Sequence, residues 1–268
     1  RRDMMAFELF FLTKKDRDIY LGDIIAFFRK KDYFSHTALD NDDHRFIYDN
    51  PNVNAKFIFV YSRDDLETDI IFPGEYEYAH LYFSLNYLRP SYFAKEAMPI
   101  VERLQKEFPF MILDVQNPGE NKIHSYTQKE LEQSYYVNNE LACREFHKMT
   151  TLNILEKNKI DYYYNYQLGK TKTQNEIYPD ISFVKHNETE KISTVIPWDN
   201  TEMYLPKTDY IYIIKKIPGF WGFKKTEECL LTYDSVIGFL KKYLTDDNGV
   251  YYLSKPVSKV IVQKLWEL

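Results

Sequence analysis

This chain is short of glycine, short of cysteine, without an excess of basic residues, and without a long apolar run. Only eight of its 268 residues are Gly. Phosphate and dinucleotide sites draw on glycine because a residue without Cβ lets backbone N–H groups close on a ligand or sit at positive φ. The composition therefore turns away from a nucleotide-using enzyme. Two cysteines, Cys143 and Cys229, cannot build a disulfide framework and read as reduced thiols of a cytoplasmic protein. No stretch approaches the roughly 18 apolar residues of a membrane span. Asp3 and Glu8 interrupt any signal-peptide core, and Met4 or Met5 is the expected native start. A net charge of −5 argues against a dedicated nucleic-acid binder, which needs a basic stripe to displace counterions.

Aromatic residues are what the chain has in surplus: 24 Tyr and 19 Phe. Tyr offers a large, rigid, amphipathic contact area with little rotamer entropy to lose, and it is enriched where proteins touch proteins. Charge is also uneven. Residues 1–150 carry 19 Lys/Arg and 25 Asp/Glu, a net of −6, whereas residues 151–268 carry 16 and 15, a net of +1. An acidic first half suits a basic partner.

The first 116 residues alternate strand and helix patterns. Ala6–Leu12 is an apolar run fit for a buried strand, and Tyr20–Arg29 places Leu21, Ile24, Ile25 and Phe28 at helical spacing. Arg45–Tyr48 and Lys56–Tyr61 are strand candidates around a turn at Asn50-Pro51, and Ala79–Leu88 alternates cleanly. Ser91 is positioned to cap a helix over Tyr92–Phe108, in which Pro99 should make a kink or open the main body. Phe110–Val115 reads as a buried strand. The order β-α-β-β-β-α-β predicts a ferredoxin-like α/β sandwich over residues 1–116. A boundary falls at Asn117–Asn121, and a linker and helix occupy 117–150, with Thr127 and Glu130 forming a capping box. Residues 151–175 lack periodicity. Strands at Ile181–Lys185, Lys191–Ile196, Tyr210–Lys216 and Glu228–Tyr233, then a helix at Asp234–Leu244, predict a second, smaller α+β unit over 151–268.

Several motifs fail on spacing. Leu168-Gly169-Lys170-Thr171 resembles the end of a P-loop, but Tyr164 stands where the first glycine belongs. Asp40-Asn41-Asp42-Asp43-His44 resembles a calcium loop, but Arg45 and Pro51 occupy the positions that need Gly and Glu. Glu140, Cys143 and His147 share one helix face and contain the makings of a zinc site or a thiol–imidazole pair, without a nominated further ligand. Pro179-Asp180 with Glu190 and Lys191 approaches a metal-dependent nuclease pattern, but Thr189 stands where its second acid belongs. Lys56–Tyr61 superficially matches an RNA-stacking strand and lacks its glycine. The turn Ile217–Lys225 gathers Phe220, Trp221 and Phe223, typical interface anchors.

Three segments, Met5–Phe11, Tyr92–Ala97 and Leu205–Tyr210, give the chain a look that resembles bacterial immunity proteins of toxin–antitoxin systems. The resemblance implies a cytoplasmic, non-enzymatic inhibitor that occludes a toxin. The resulting expectation is a protein-binding module with no cofactor and no resident metal, contacting its partner through Asp40, Asp42, Asp43, Phe220, Trp221 and Phe223. The alternative is a metal-dependent hydrolase or nuclease built on His36, Asp42, Asp43 and His44, or on Asp180 and Glu190. A third reading is a structural component of a phage or secretion apparatus.

Overall fold

The computed structural model describes residues 6–39, 42–63, 72–117, 123–150, 155–173, 177–189, 191–217 and 225–268. The chain is a mixed α+β protein, with fourteen strands in three sheets among the described residues. It divides into two compact units, the first made of Arg1–Leu152 and Glu156–Tyr164, the second of Asn153–Leu155 and Asn165–Leu268.

The first unit runs β1 (Ala6–Lys14), α1 (Leu21–Arg29), β2 (Phe34–Ala38), β3 (His44–Asn50), β4 (Ala55–Tyr61), β5 (Tyr76–Asn86), α2 (Phe93–Glu107), β6 (Met111–Asp114), β7 (Ile123–His124) and α3 (Gln128–Thr150), and it includes the start of α4 (Lys157–Thr173). Its seven strands lie in the order β2-β3-β4-β5-β1-β6-β7, all paired antiparallel. The strand alternation decides which side chains are buried. Phe46, Phe59 and Phe83 fall on paired registers and are fully buried. α1 presses Phe28 onto this row, with ring centroids 4.5 Å from Phe46 and 4.8 Å from Phe59. Phe57 and Phe59 are therefore core residues and not an RNA-stacking surface.

Two strands of the first unit escape the sequence pattern. β2 (Phe34–Ala38, FSHTA) is almost wholly exposed and lacks a buried alternation, and β7 has two residues. Ser91 does not cap α2: Tyr92 holds the cap position without a side-chain bond, and the buried Ser91 hydroxyl has no partner among the described residues. α2 starts six residues before Pro99 and continues past it. The capping box forms as its spacing requires, the Thr127 N–H donating to Glu130 at 2.8 Å and the Glu130 N–H to Thr127 Oγ1 at 3.3 Å. Lys157–Thr173, within the segment without periodicity, is the helix α4. Its rings and amides are spread around the axis, so no apolar stripe announces it.

The second unit contains β8 (Ser182–Lys185), β9 (Ile192–Trp198), β10 (Met203–Leu205), β11 (Tyr210–Ile217), β12 (Lys225–Thr232), α5 (Tyr233–Leu240), β13 (Thr245–Asp247), β14 (Val250–Leu253) and α6 (Lys259–Leu265). One sheet is ordered β12-β11-β9-β8, with β9 and β11 parallel, and the other β10-β14-β13. Trp198, Ile211, Ile213, Val236 and Leu240 are buried in this unit. Thr232 caps α5 by accepting from the Ser235 N–H at 3.3 Å. The helix ends at Leu240 and is followed by a 3-10 turn at Lys241–Tyr243, short of the expected Leu244. Asn248 (φ 53°) and Gly249 (φ 86°) form the two-residue turn between β13 and β14, where both positions need the left-handed region.

Candidate functional site

A cleft of about 680 Å³ opens in the first unit at one end of the central strands. β5 contributes Tyr76, Glu77, Tyr78, Ala79 and His80, β4 contributes Tyr61, and β1 contributes Thr13. The turn after β1 adds Lys15, Arg17, Asp18 and Ile19, and Phe72 lies on the approach to β5. A backbone irregularity shapes this end of the sheet. The β1–β5 pairing passes from Phe10↔Tyr82 to Leu12↔Tyr78, so β5 carries two surplus residues there. Such bulges break the ladder and re-aim side chains, often beside functional sites.

His80 sits in that bulge with φ of 58°, a left-handed conformation inside a strand. Histidine reaches this region more readily than most non-glycine residues, at a cost on the order of 1 kcal/mol. Two bonds hold it there: the Ser62 N–H donates to the His80 carbonyl at 2.8 Å, and the ring Nδ1 donates to the Ser62 carbonyl at 3.2 Å. With the proton on Nδ1, a neutral His80 keeps its lone pair on Nε2. Its ring lies 5.3 Å from Tyr78 and 6.3 Å from Tyr61, centroid to centroid. Burial, reinforced by Tyr82 and Glu8, holds the Tyr78 phenol above its ordinary range, so it stays a neutral donor. Thr13 is 5% exposed, and among the described residues its buried hydroxyl has no hydrogen-bond partner. Lys15, Arg17, Asp18 and Glu77 are exposed at the rim and mix both signs of charge. The arrangement is suited to gripping a polar, partly aromatic segment.

The residues singled out by sequence are scattered. Asp42 pairs with the Arg63 guanidinium at 3.3 Å, and the Asp43 carboxylate accepts from the Arg63 N–H at 3.3 Å, so this acidic loop is partly neutralised from within. Asp40, Phe220, Trp221, Phe223 and Glu190 lie outside the described residues. His36 and His44 do meet, ring nitrogen to ring nitrogen at 2.9 Å. Desolvation, then His44 and Arg29, hold His36 below the ordinary imidazole value. Asp180 is engaged by Lys170, whose Gly169-Lys170 sequence lies inside α4 and forms no phosphate loop.

Glu140 pairs with Arg144, while Cys143 is buried between the Asn139 amide and the Tyr87 carbonyl. Burial pushes the Cys143 thiol up, away from the thiolate a nucleophile needs. A Ser–His hydrogen bond joins Ser193 to His186 at 3.0 Å, but Ser193 is 3% exposed and is not offered to a substrate. Among the described residues no three His, Cys, Asp or Glu side chains converge to hold a metal, and no helix is long and apolar enough to cross a membrane.

Thr13, Lys15, Arg17, Tyr61, Tyr78 and His80 were not legible as a site. They come from three strands and a turn, and only the β5 bulge brings them to one end of the sheet. The charged run Lys14–Asp18 directly after a buried strand was the available signal. Comparison with protein-family models, with curated proteins and with solved structures finds no match.

Proposed function

We propose that the chain is a protein-binding module without catalytic activity, and that the cleft at the β5 bulge receives a segment of its partner. The observation that carries this reading is the lining itself. Tyr61, Tyr76, Tyr78 and Phe72 supply amphipathic contact area, and the rim carries charges of both signs. An immunity protein that occludes a cognate bacterial toxin is its specific form. Support comes from the three segments that resemble such proteins and from the net −6 of residues 1–150, which suits a basic toxin. Within this reading the first unit is an elaborated ferredoxin-like sandwich. The run β6-β1-β5-β4, together with α1 and α2 in their places along the chain, supports that assignment, with β2, β3 and β7 as additions.

A metal-assisted hydrolase is the second reading, and the strained His80 beside Tyr78 is the observation that favours it. One set of proteins separates the two. Affinity capture with the tagged chain from its native host is expected to return a stoichiometric partner. Tyr78→Ala combined with Tyr61→Ala should weaken that partner at least tenfold, while Asp42→Lys with Asp43→Lys tests the acidic loop. Equal capture by the cleft variant refutes the cleft as the contact. A rise in melting temperature with Zn²⁺, Mg²⁺ or Mn²⁺ that His80→Ala abolishes favours the hydrolase.

A further inference from the structure

The second unit carries an aromatic surface that the cleft does not explain. β10, β14 and β13 place Tyr204 opposite Tyr252, and Tyr252 opposite Thr245. Alternation along these strands puts Met203, Leu205 and Leu253 on the other side, where all three are buried. Tyr178 extends the row, because the preceding Ile177 carbonyl accepts from the Tyr204 N–H at 2.9 Å. The rings stack in sequence, Tyr178 on Tyr204 at 4.1 Å and 15°, and Tyr204 against Tyr252 at 4.7 Å and 31°. All three tyrosines are only half-buried.

Carboxylates stand at the hydroxyl tips. Tyr204 donates to Asp247 at 2.8 Å, and Tyr252 donates to Glu202. Both acids are exposed, and among the described residues neither forms an ion pair with a Lys or Arg. A hydroxyl held by a carboxylate fixes the ring plane; Asp247 Oδ1 also accepts from the Asn248 side-chain amide at 3.0 Å, and both carboxylates stay exposed at the edge of the row. Aromatic faces with negative carboxylates at their edges are complementary to a planar cation that stacks and donates at once, which is the chemistry of guanidinium more than of ammonium.

We infer that the Tyr178–Tyr204–Tyr252 row, with Asp247 and Glu202, is a docking surface for an arginine-bearing segment of a partner protein. This surface belongs to the second unit alone, so it stands or falls independently of the cleft in the first.

The test is calorimetric titration of the full chain at about 0.15 M salt, where charges beyond about 8 Å are screened. The probes are hexa-arginine, hexalysine and hexaglutamate peptides. Hexa-arginine should bind at least threefold more tightly than hexalysine, with no binding of hexaglutamate. Tyr252→Ala, and separately Glu202→Gln with Asp247→Asn, should each weaken hexa-arginine at least fivefold. Asp246→Asn, a carboxylate of the opposite face, should leave it unchanged. Tyr252→Phe keeps the ring and should keep most of the affinity, which guards against a misfolded alanine variant. Equal affinity for the arginine and lysine peptides, or hexa-arginine binding that ignores Tyr252→Ala, would overturn the inference in favour of attraction by net charge alone.

Discussion

Tyrosine is put to opposite uses in the core of the first unit and on one sheet face of the second. In that core it is a packed ring with a polar tip. The Tyr92 hydroxyl donates to the Val53 carbonyl at 2.5 Å, Tyr135 to the Asn86 carbonyl at 3.1 Å, and Tyr48 to Glu96 at 2.5 Å. Tyr92 and Tyr135 are 3% and 0% exposed. In the second unit Tyr178, Tyr204 and Tyr252 lie on an open sheet face with carboxylates at their tips. The same side chain thus ties distant segments of chain together in one place and builds a surface in the other. A surplus of tyrosine in a composition does not by itself separate these uses.

The sharpest break of this comparison is at Glu96, whose carboxylate accepts from Tyr48, Tyr164 and Asn50. Glu96→Ala leaves three part-buried donors without their acceptor and should destabilise the first unit by about 3–4 kcal/mol in urea unfolding. Removing a core ring costs a similar amount, and Phe28→Ala should lose about 3 kcal/mol or more.

Alkaline titration comes next. Burial first, then the bonds and charges of Glu96, raise the phenols of Tyr48 and Tyr164, and burial does the same for Tyr92 and Tyr135. A phenol whose folded pKa lies above its unfolded value contributes stability that is complete below pH ~10 and is lost as pH rises further. Unfolding of the first unit should therefore accompany the absorbance rise of its tyrosinates above that pH.

Hydroxyl deletions give smaller effects and a direct contrast. Tyr92→Phe should cost about 1 kcal/mol, against less than about 0.5 kcal/mol for Tyr204→Phe on the open face, both read by thermal unfolding. The smallest effect belongs to the capping box. Bonds from the Thr127 backbone and hydroxyl hold Glu130 below the ordinary carboxylate value. Its contribution is present at neutral pH and disappears as acid protonates it. Glu130→Gln should cost about 0.5 kcal/mol at pH 7 and flatten the loss of stability below about pH 4.

What was legible in the sequence follows from periodicity. α1 and α2 carry apolar residues at helical spacing, and β4 and β5 alternate, so both were foreseen within a few residues. β2 and α4 were not, because neither has a buried stripe to betray it: one is an exposed edge strand, the other spreads its tyrosines around the axis. The cleft was invisible for a different reason. Tyr76, Tyr78, His80 and Tyr82 keep perfect alternation through a register slip, so the bulge leaves no mark in the pattern. Asp42 and Asp43 were legible as an acidic loop, but Arg63, twenty positions beyond Asp43, was not legible as its counter-charge.

The hydroxyls gathered at Glu96 also bear on the order in which the chain is completed during synthesis. Tyr48 precedes Glu96 by 48 residues and Tyr164 follows it by 68. Contacts so distant in sequence form only after the intervening chain has been ordered, and domains emerge from the ribosome N-terminus first. A nascent chain that has released α3 holds every strand of the seven-stranded sheet and still lacks the third donor to this carboxylate. The first unit is finished only when Tyr164 has emerged, by which point the short piece Asn153–Leu155 that belongs to the second unit is already outside.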